Sequence, residues 1–418
     1  MSKNASTEMF ELVDGQCKRA IIRVIGVGGG GCNTVNQMAQ VGIQGVEFIC
    51  ANTDRDHLEK CVPTLQLQMG SAITRGLGAG SNPKVGREAA EEDRDRIREM
   101  LEGTDLLFVT AGMGGGTGTG AAPVIAQIAK ELDILTVAVV TRPFPHEGKK
   151  RLHIANEGVK ELQMHVDSLI MIPNEKLRLV LGGSVTLLNG FKAANDVLQN
   201  AVQGISDLIT RPGMINVDFA DVKTVMANRG MAMMGLGAAS GEDRAERAVE
   251  AALASPLLDD LELTGAHGIL VNITCDDTLT LDELELINER INEIASAEAD
   301  MKSGTSFDPS LNGELRVTLV ATGLEGMRAR QQEAEVIKPA RSLGYQNNAY
   351  LQGGQAQASQ PRNVVTSLWS SGIKGARLAE AEVAVKPRVS RSQSASLAAL
   401  ELNEELLDIP AFLRAQAD

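Results

Sequence analysis

Leu106-Leu107-Phe108-Val109-Thr110 runs directly into Ala111-Gly112-Met113-Gly114-Gly115-Gly116-Thr117-Gly118-Thr119-Gly120, and Ala121-Ala122-Pro123 follows. The first five residues read as a buried strand. Glycine takes six of the nine positions from Gly112 to Gly120, more than a turn requires. With two threonine hydroxyls, the stretch predicts a backbone nest for an anion. A helix is expected to open at Ala121, with Pro123 at an early position where its missing N–H costs little. Mere flexibility would not need a strand before the loop and a helix after it.

A second glycine run lies upstream. Ala20-Ile21-Ile22-Arg23-Val24-Ile25-Gly26-Val27 reads as a buried strand ending in Gly28-Gly29-Gly30-Gly31, with a helix expected from Asn33. Gly26 to Gly31 satisfies G-x-G-x-x-G, which lets backbone N–H groups approach a phosphate. That pattern alone leaves three readings open: a dinucleotide-binding Rossmann turn with Asp54 on the ribose, another nucleotide fold, or a packing turn. Gly76-Leu77-Gly78-Ala79-Gly80-Ser81-Asn82-Pro83 forms a third segment that could close over the same anion. Three loops at the carboxyl ends of parallel strands suit a triphosphate better than a pyrophosphate. No G-x-x-x-x-G-K-[ST] occurs, which excludes a P-loop enzyme.

Outward from these loops, strand-like Val46 to Ala51, Leu135 to Thr141 and Ser168 to Ile172 alternate with helix-like Pro83 to Leu101, Ala121 to Leu132 and Lys149 to Met164. The alternation predicts an α/β fold, a mostly parallel sheet with helices on both faces. From Leu187 to Ile209 apolar residues recur at three- and four-residue steps, predicting a helix of about 35 Å that serves as a spine. It stops at Arg211-Pro212-Gly213. A helix near Asp243 to Leu253, a strand near Ile269 to Thr274, a helix near Leu281 to Ile294 and a strand near Glu314 to Thr322 predict a smaller second domain.

The 418 residues carry 40 Lys plus Arg against 54 Asp plus Glu, a net charge of −14. That balance, without a long basic block, argues against a nucleic-acid binder. The five cysteines (Cys17, Cys32, Cys50, Cys61, Cys275) contain no Cys-x-x-Cys pair, so neither a zinc site nor a disulfide framework is expected, and a reducing cytoplasm fits. No run reaches the ~18 apolar residues of a membrane span, and the start lacks a signal-peptide core. Residues 331–400 hold eight Lys plus Arg against four Glu among Gln, Ser, Ala and Gly, a composition that predicts a disordered linker. The last 18 residues place Leu402, Leu406, Leu407, Ile409, Phe412 and Leu413 among acids, a short amphipathic peptide on a tether.

The Gly114 to Gly120 loop resembles the signature of the tubulin/FtsZ family. The resemblance extends from Ile21 to about Thr322, through Asn52-Thr53-Asp54, Phe144 to Arg151, Gly190 to Leu198, Pro212 to Val222 and Gly304-Thr305-Ser306. The terminal Leu407 to Arg414 looks like the tail of the FtsZ branch, which tubulins lack. It implies a three-layer parallel-sheet GTPase domain (18–186) after a loose lead (1–17). A central helix (187–211) then joins a smaller α+β domain that activates hydrolysis (212–327), followed by the linker (328–400) and a partner-binding peptide (401–418).

Residue by residue, the resemblance implies that Gly29, Gly30, Gly31 and Asn33 line the nucleotide and that Gly116, Thr117 and Gly118 hold its phosphates. Glu147 would contact the ribose and Arg151 the phosphate side, although a solvated helix start explains both. Phe191, Asn195 and Asp196 match the guanine site, while Phe191 also fits the spine's apolar stripe. Asn216, Asp218 and Asp221 match a loop that enters the next subunit's site and polarises the attacking water. The plain alternative is that Asp218 caps a helix whose positive end Asp221 favours. Charges in Glu298 to Ser303 depart from the family's usual apolar strand, which is expected to be short, shifted or at an edge. A more polar Phe144-Pro145-His146-Glu147 is expected to adjust nucleotide binding without abolishing it.

The implied activity is GTP hydrolysis with Mg²⁺ in a head-to-tail polymer at the bacterial division site, tethered to the membrane through adaptors such as the actin-like FtsA and not by insertion. Two other readings remain: a Rossmann oxidoreductase, and a scaffold that binds nucleotide without turning it over.

Overall fold

A computed structural model of the chain describes residues 20–63, 65–181, 186–211, 213–228, 230–258, 265–296 and 299–324. The expected lead, linker and terminal peptide Leu407 to Arg414 lie outside the described residues. Strand β1 (Ile22–Val27) leads straight into α1 (Gly28–Val41), followed by β2 (Val46–Asn52), the one-turn helix α2 (Arg55–Leu58), β3 (Leu65–Gln68) and α3 (Ser71–Thr74). Next come α4 (Pro83–Glu92), α5 (Arg94–Leu101), β4 (Leu106–Gly112), α6 (Thr117–Glu131), β5 (Leu135–Arg142), α7 (Lys149–Gln163), β6 (Ser168–Pro173) and α8 (Asn174–Leu181). The spine is α9 (Leu187–Thr210). Beyond it lie α10 (Phe219–Met226), β7 (Gly230–Ser240), α11 (Arg244–Leu253), β8 (Gly268–Cys275), α12 (Leu281–Ile294), β9 (Asp300–Phe307) and β10 (Glu314–Thr322).

One sheet of ten strands runs β3-β2-β1-β4-β5-β6-β7-β10-β8-β9. Every pair from β3 to β7 is parallel, β10 runs antiparallel to both β7 and β8, and β9 is parallel to β8. The strands alternate as buried parallel strands must: Val24 and Phe108 face one core, Ile25, Leu107 and Val109 the other. Helices α1 and α9 cover the first face, α4, α6 and α7 the second. A third cluster lies under α11 and α12. Each fully buried aliphatic or Phe108-type side chain contributes about 1.5–3 kcal/mol.

The spine helix buries Ala194, Leu198, Ala201, Val202, Ile205 and Leu208 in the core that also holds Val24 of β1, Leu270 of β8 and Val320 of β10. It therefore bridges the two halves, as its length predicts. Strand β9 runs through the charged stretch that departs from the family pattern; it is one of the sheet's two edge strands, with Asp300 exposed and Thr305 and Ser306 buried. An edge tolerates Lys302 where a central strand would not.

At the far end of α9, Asp207 is 2% exposed and pairs with Arg211 at 2.9 Å, while Arg211 reaches Asp308 at 3.2 Å. Burial outweighs the guanidinium and pushes the Asp207 carboxyl up to about 6. The unfolded carboxyl loses its proton near 3.9, so between these values the folded chain binds more protons and stability falls as pH rises. Asp207→Asn does not titrate. Its urea midpoint relative to wild type should shift by the equivalent of about 1 kcal/mol in the variant's favour between pH 5 and 7.5; a flat difference would contradict the raised value.

Candidate functional site

The carboxyl ends of β1 and β4 lie side by side, Val27 opposite Ala111. Helix α1 begins at Gly28, not Asn33, and α6 at Thr117, not Ala121, so Pro123 sits inside α6. Gly28 to Gly31 and Thr117 to Gly120 are helical first turns, and only Met113 to Gly116 remain as a loop between β4 and α6. Glycine is a poor helix former, and close approach overrides that preference here. A Cβ on Gly31 would meet the Thr110 carbonyl oxygen at 2.3 Å, and one on Gly28 the Gly118 nitrogen at 2.8 Å.

Neither helix start has a side-chain cap or an acidic residue in its first turn. Their first N–H groups lack intrahelical partners, and two positive dipole ends converge. Space is open beside them: a Cβ on Gly115 would meet nothing within 4 Å, and one on Gly29 only the His57 ring. Such an opening takes an anion. The third glycine segment closes against this pair, because a Cβ on Gly116 would meet the Asn82 nitrogen at 2.8 Å and the Ala79 Cβ at 2.9 Å.

Both threonine hydroxyls have partners within the protein. Thr117 shares a 2.6 Å hydrogen bond with Thr53, and the Thr119 hydroxyl accepts the Gly114 N–H at 2.8 Å. Both fasten the turn. Asp54 caps α2, its Oδ1 accepting the His57 N–H at 3.1 Å.

Around the opening, Glu147 accepts the Phe144 N–H at 2.8 Å and pairs with Arg151 at 3.1 Å. Arg151 lies against Gly114, where a Cβ would meet its Cγ at 2.8 Å, and its buried Nε has no hydrogen-bond partner. On α9, Phe191 packs edge-on to Phe144, with centroids 5.5 Å apart, and Phe144 stacks on His146 at 5.1 Å. Phe191 is thus half-buried beside an aromatic partner and absent from the main core. Asn195 accepts from the Thr34 hydroxyl at 2.9 Å and Asp196 from the Gln37 amide at 2.5 Å. These two α1 residues fix the polar pair beside the helix start. Sequence reading missed them, since only their spacing on α1 hints at a shared face. Asn33 is exposed at the same helix start.

The acidic residues lie elsewhere. A rise of ~1.5 Å per residue separates Asn195 from Arg211 by about 24 Å along α9, and the loop beyond Arg211 runs onto β9. There the Thr305 N–H donates to the Ile215 carbonyl at 2.9 Å, the Ile215 N–H to the Thr305 hydroxyl at 3.0 Å, and the Gly213 N–H to Asn216 Oδ1 at 2.8 Å. Asp218 occupies the cap position of α10 without a side-chain capping bond, while Asp221 lies in its first turn, so the plain reading keeps its second half. Asp221 pairs with Lys302 at 3.3 Å, and Lys302 also reaches Asp300 at 3.6 Å. The Asp221 bond holds the Lys302 ammonium above its usual pKa.

A parallel sheet with two glycine helix starts at one end, and a second α/β half on a shared spine, is the architecture of the tubulin-like GTPases. Residues 21–182 match the Tubulin/FtsZ family GTPase domain and residues 230–325 the FtsZ family C-terminal domain. The chain is 53% identical over 416 residues to the cell division protein FtsZ of Pseudomonas aeruginosa, covering 98% of this chain and all of that one. It is 54% identical over 414 residues to that of Azotobacter vinelandii, with the same coverage. An FtsZ dimer structure from M. jannaschii superposes with a TM-score of 0.72 at 44% identity, over 74% of this chain and 90% of that chain. The chain belongs to the tubulin/FtsZ family, within its FtsZ branch. The oxidoreductase reading is not favoured.

Proposed function

We propose that the chain binds GTP at the α1 and α6 starts, polymerises head to tail, and hydrolyses GTP to GDP and phosphate at a site that two subunits complete. The single observation behind this reading is the placement of Asp218 and Asp221 at the opposite end of α9 from the glycine helix starts, beyond reach of their own subunit's opening. A site finished by another copy's opposite face is a heterologous contact, which repeats into a filament unless it closes into a ring. The relatives' name and the FtsZ dimer among the solved structures favour this reading.

In this mechanism Gly29 and Gly30 with Gly116, Thr117 and Gly118 present N–H groups to the phosphates, and Gly31 and Asn33 line the nucleotide along the first turns of α1. Arg151 contacts the nucleotide on its phosphate side. Glu147 takes the ribose, Phe191 stacks on guanine, and Asn195 and Asp196 read its edge. Asp218, Asp221 and Asn216 of the next subunit orient and polarise the attacking water, so positioning and electrostatics supply most of the acceleration. Mg²⁺ would neutralise charge on the phosphates. Among the described residues no carboxylate or histidine group forms a cage for it, which fits an ion that keeps its waters and takes phosphate oxygens.

The filament would assemble at the division site in the cytoplasm, held to the membrane by adaptors such as FtsA through Leu407 to Arg414, with no nucleic acid involved. No helix among the described residues is long and apolar enough to cross a membrane. Weak peptide contacts repeated along a polymer gain avidity. GTP turnover per subunit should be near background at low protein concentration and rise above a threshold at which the protein also pellets. Turnover that is flat and near background would favour the scaffold, and turnover as fast in monomers as in polymer would refute the shared site.

A further inference from the structure

Cys32 sits on α1 directly after the Gly28 to Gly31 turn, Cys50 on β2, and Cys61 beyond α2. Widely separated in sequence, they offered no ligand spacing there. In the fold their Sγ atoms all lie within 4.8 Å of one another. Cys32 and Cys50 are buried and Cys61 half-buried. Their present bonds are weak: Cys32 donates to the Gly26 and Ala51 carbonyls at 3.4 and 3.6 Å, and Cys61 to the His57 carbonyl at 3.4 Å.

We infer that these three thiols form a binding site for a soft, thiophilic cation, copper(I). At the ~2.3 Å metal–sulfur bond length, three sulfurs around one ion stand about 4 Å apart, so small side-chain shifts close the present arrangement. Among the described residues no histidine or carboxylate joins the group, so the donor set is three sulfurs. Zinc in a structural site takes four ligands, and magnesium or calcium takes oxygens. Soft thiolates suit copper(I), zinc and iron–sulfur clusters, and a set of three sulfurs with no fourth protein ligand favours copper(I) over the four-ligand zinc and cluster sites. Binding releases the thiol protons and changes no oxidation state. The ion would tie the start of α1 to β2 and the turn after α2, behind the wall of the nucleotide opening.

The test uses the full chain carrying Cys17→Ser, fully reduced and without oxygen, titrated with copper(I) against the chromogenic chelator bicinchoninate. One copper(I) per chain is expected, with a near-ultraviolet thiolate-to-copper absorption. Affinity should fall by about 100-fold or more in Cys61→Ser and in Cys50→Ala, both checked for native circular dichroism. Cys61 is half-buried on a turn, so its variant keeps the test alive if Cys50→Ala misfolds. Uptake that persists in Cys61→Ser would overturn the site. So would reduced protein that binds no copper(I) while mild oxidation links two of the three thiols.

Discussion

Asp221→Ala is expected to lower GTP turnover in assembled protein by ~10²-fold or more, the typical contribution of a positioned acid–base group, with GTP affinity unchanged within about twofold. Affinity should survive because Asp221 lies beyond Arg211, on α10, while the N–H groups proposed to hold the phosphates belong to α1 and α6. Stability also survives. The pair with Lys302 is 33% and 43% exposed on its two sides, and exposed pairs contribute little to stability. Lys302 then retains Asp300. The measurement is phosphate release per subunit above the assembly threshold, with nucleotide binding measured in parallel. Unchanged turnover in pelleted protein would remove Asp221 from the mechanism. A matching loss of GTP affinity would place its effect in the fold of its own subunit.

That separation between binding and chemistry was only partly legible in the sequence. Strands such as β4 and β10 and the helix α12 could be read almost to their ends. Their apolar period is clean, and α12 opens with a Thr280–Glu283 capping box. Strand β7 was invisible because Gly-Met-Ala-Met-Met-Gly-Leu-Gly-Ala-Ala-Ser has neither alternation nor β-branching. Its glycines answer to a neighbour: a Cβ on Gly237 would meet the Ala248 carbonyl of α11 at 2.0 Å. Short β3 and the break between α4 and α5 at Asp93 were likewise missed, and Asp93 spends its carboxylate on the Gly70 N–H and Arg96. Helix starts at the two glycine runs were placed too late, because propensity argues against a helix that only packing explains. Beside the expected site residues, the partners Thr34, Gln37 and Lys302 went unread. Cross-element pairing leaves no local trace.

Gly213→Ala should have the second large effect, and it tests placement instead of chemistry. An added methyl would come within 1.6 Å of the Thr305 carbonyl oxygen and 2.7 Å of its carbon. Both are backbone atoms of β9, so no side-chain rotation relieves the contact and the loop must lift. Overpacking of this kind costs ~1–3 kcal/mol. The lift breaks the clip formed by the Ile215 and Thr305 bonds and carries Asn216, Asp218 and Asp221 away from their present line along the β9 edge. Turnover should fall ~10-fold or more, since a misplacement of about 1 Å can cost a factor of 10², while GTP still binds. Thr305→Val removes only the hydroxyl that accepts the Ile215 N–H and should give a smaller loss in the same direction. If Gly213→Ala assembles and turns over GTP normally, the acids need no fixed position on β9 and the shared-site geometry is wrong. If it loses GTP binding along with turnover, the loop supports its own subunit's opening, and the division of labour between the two ends of α9 fails.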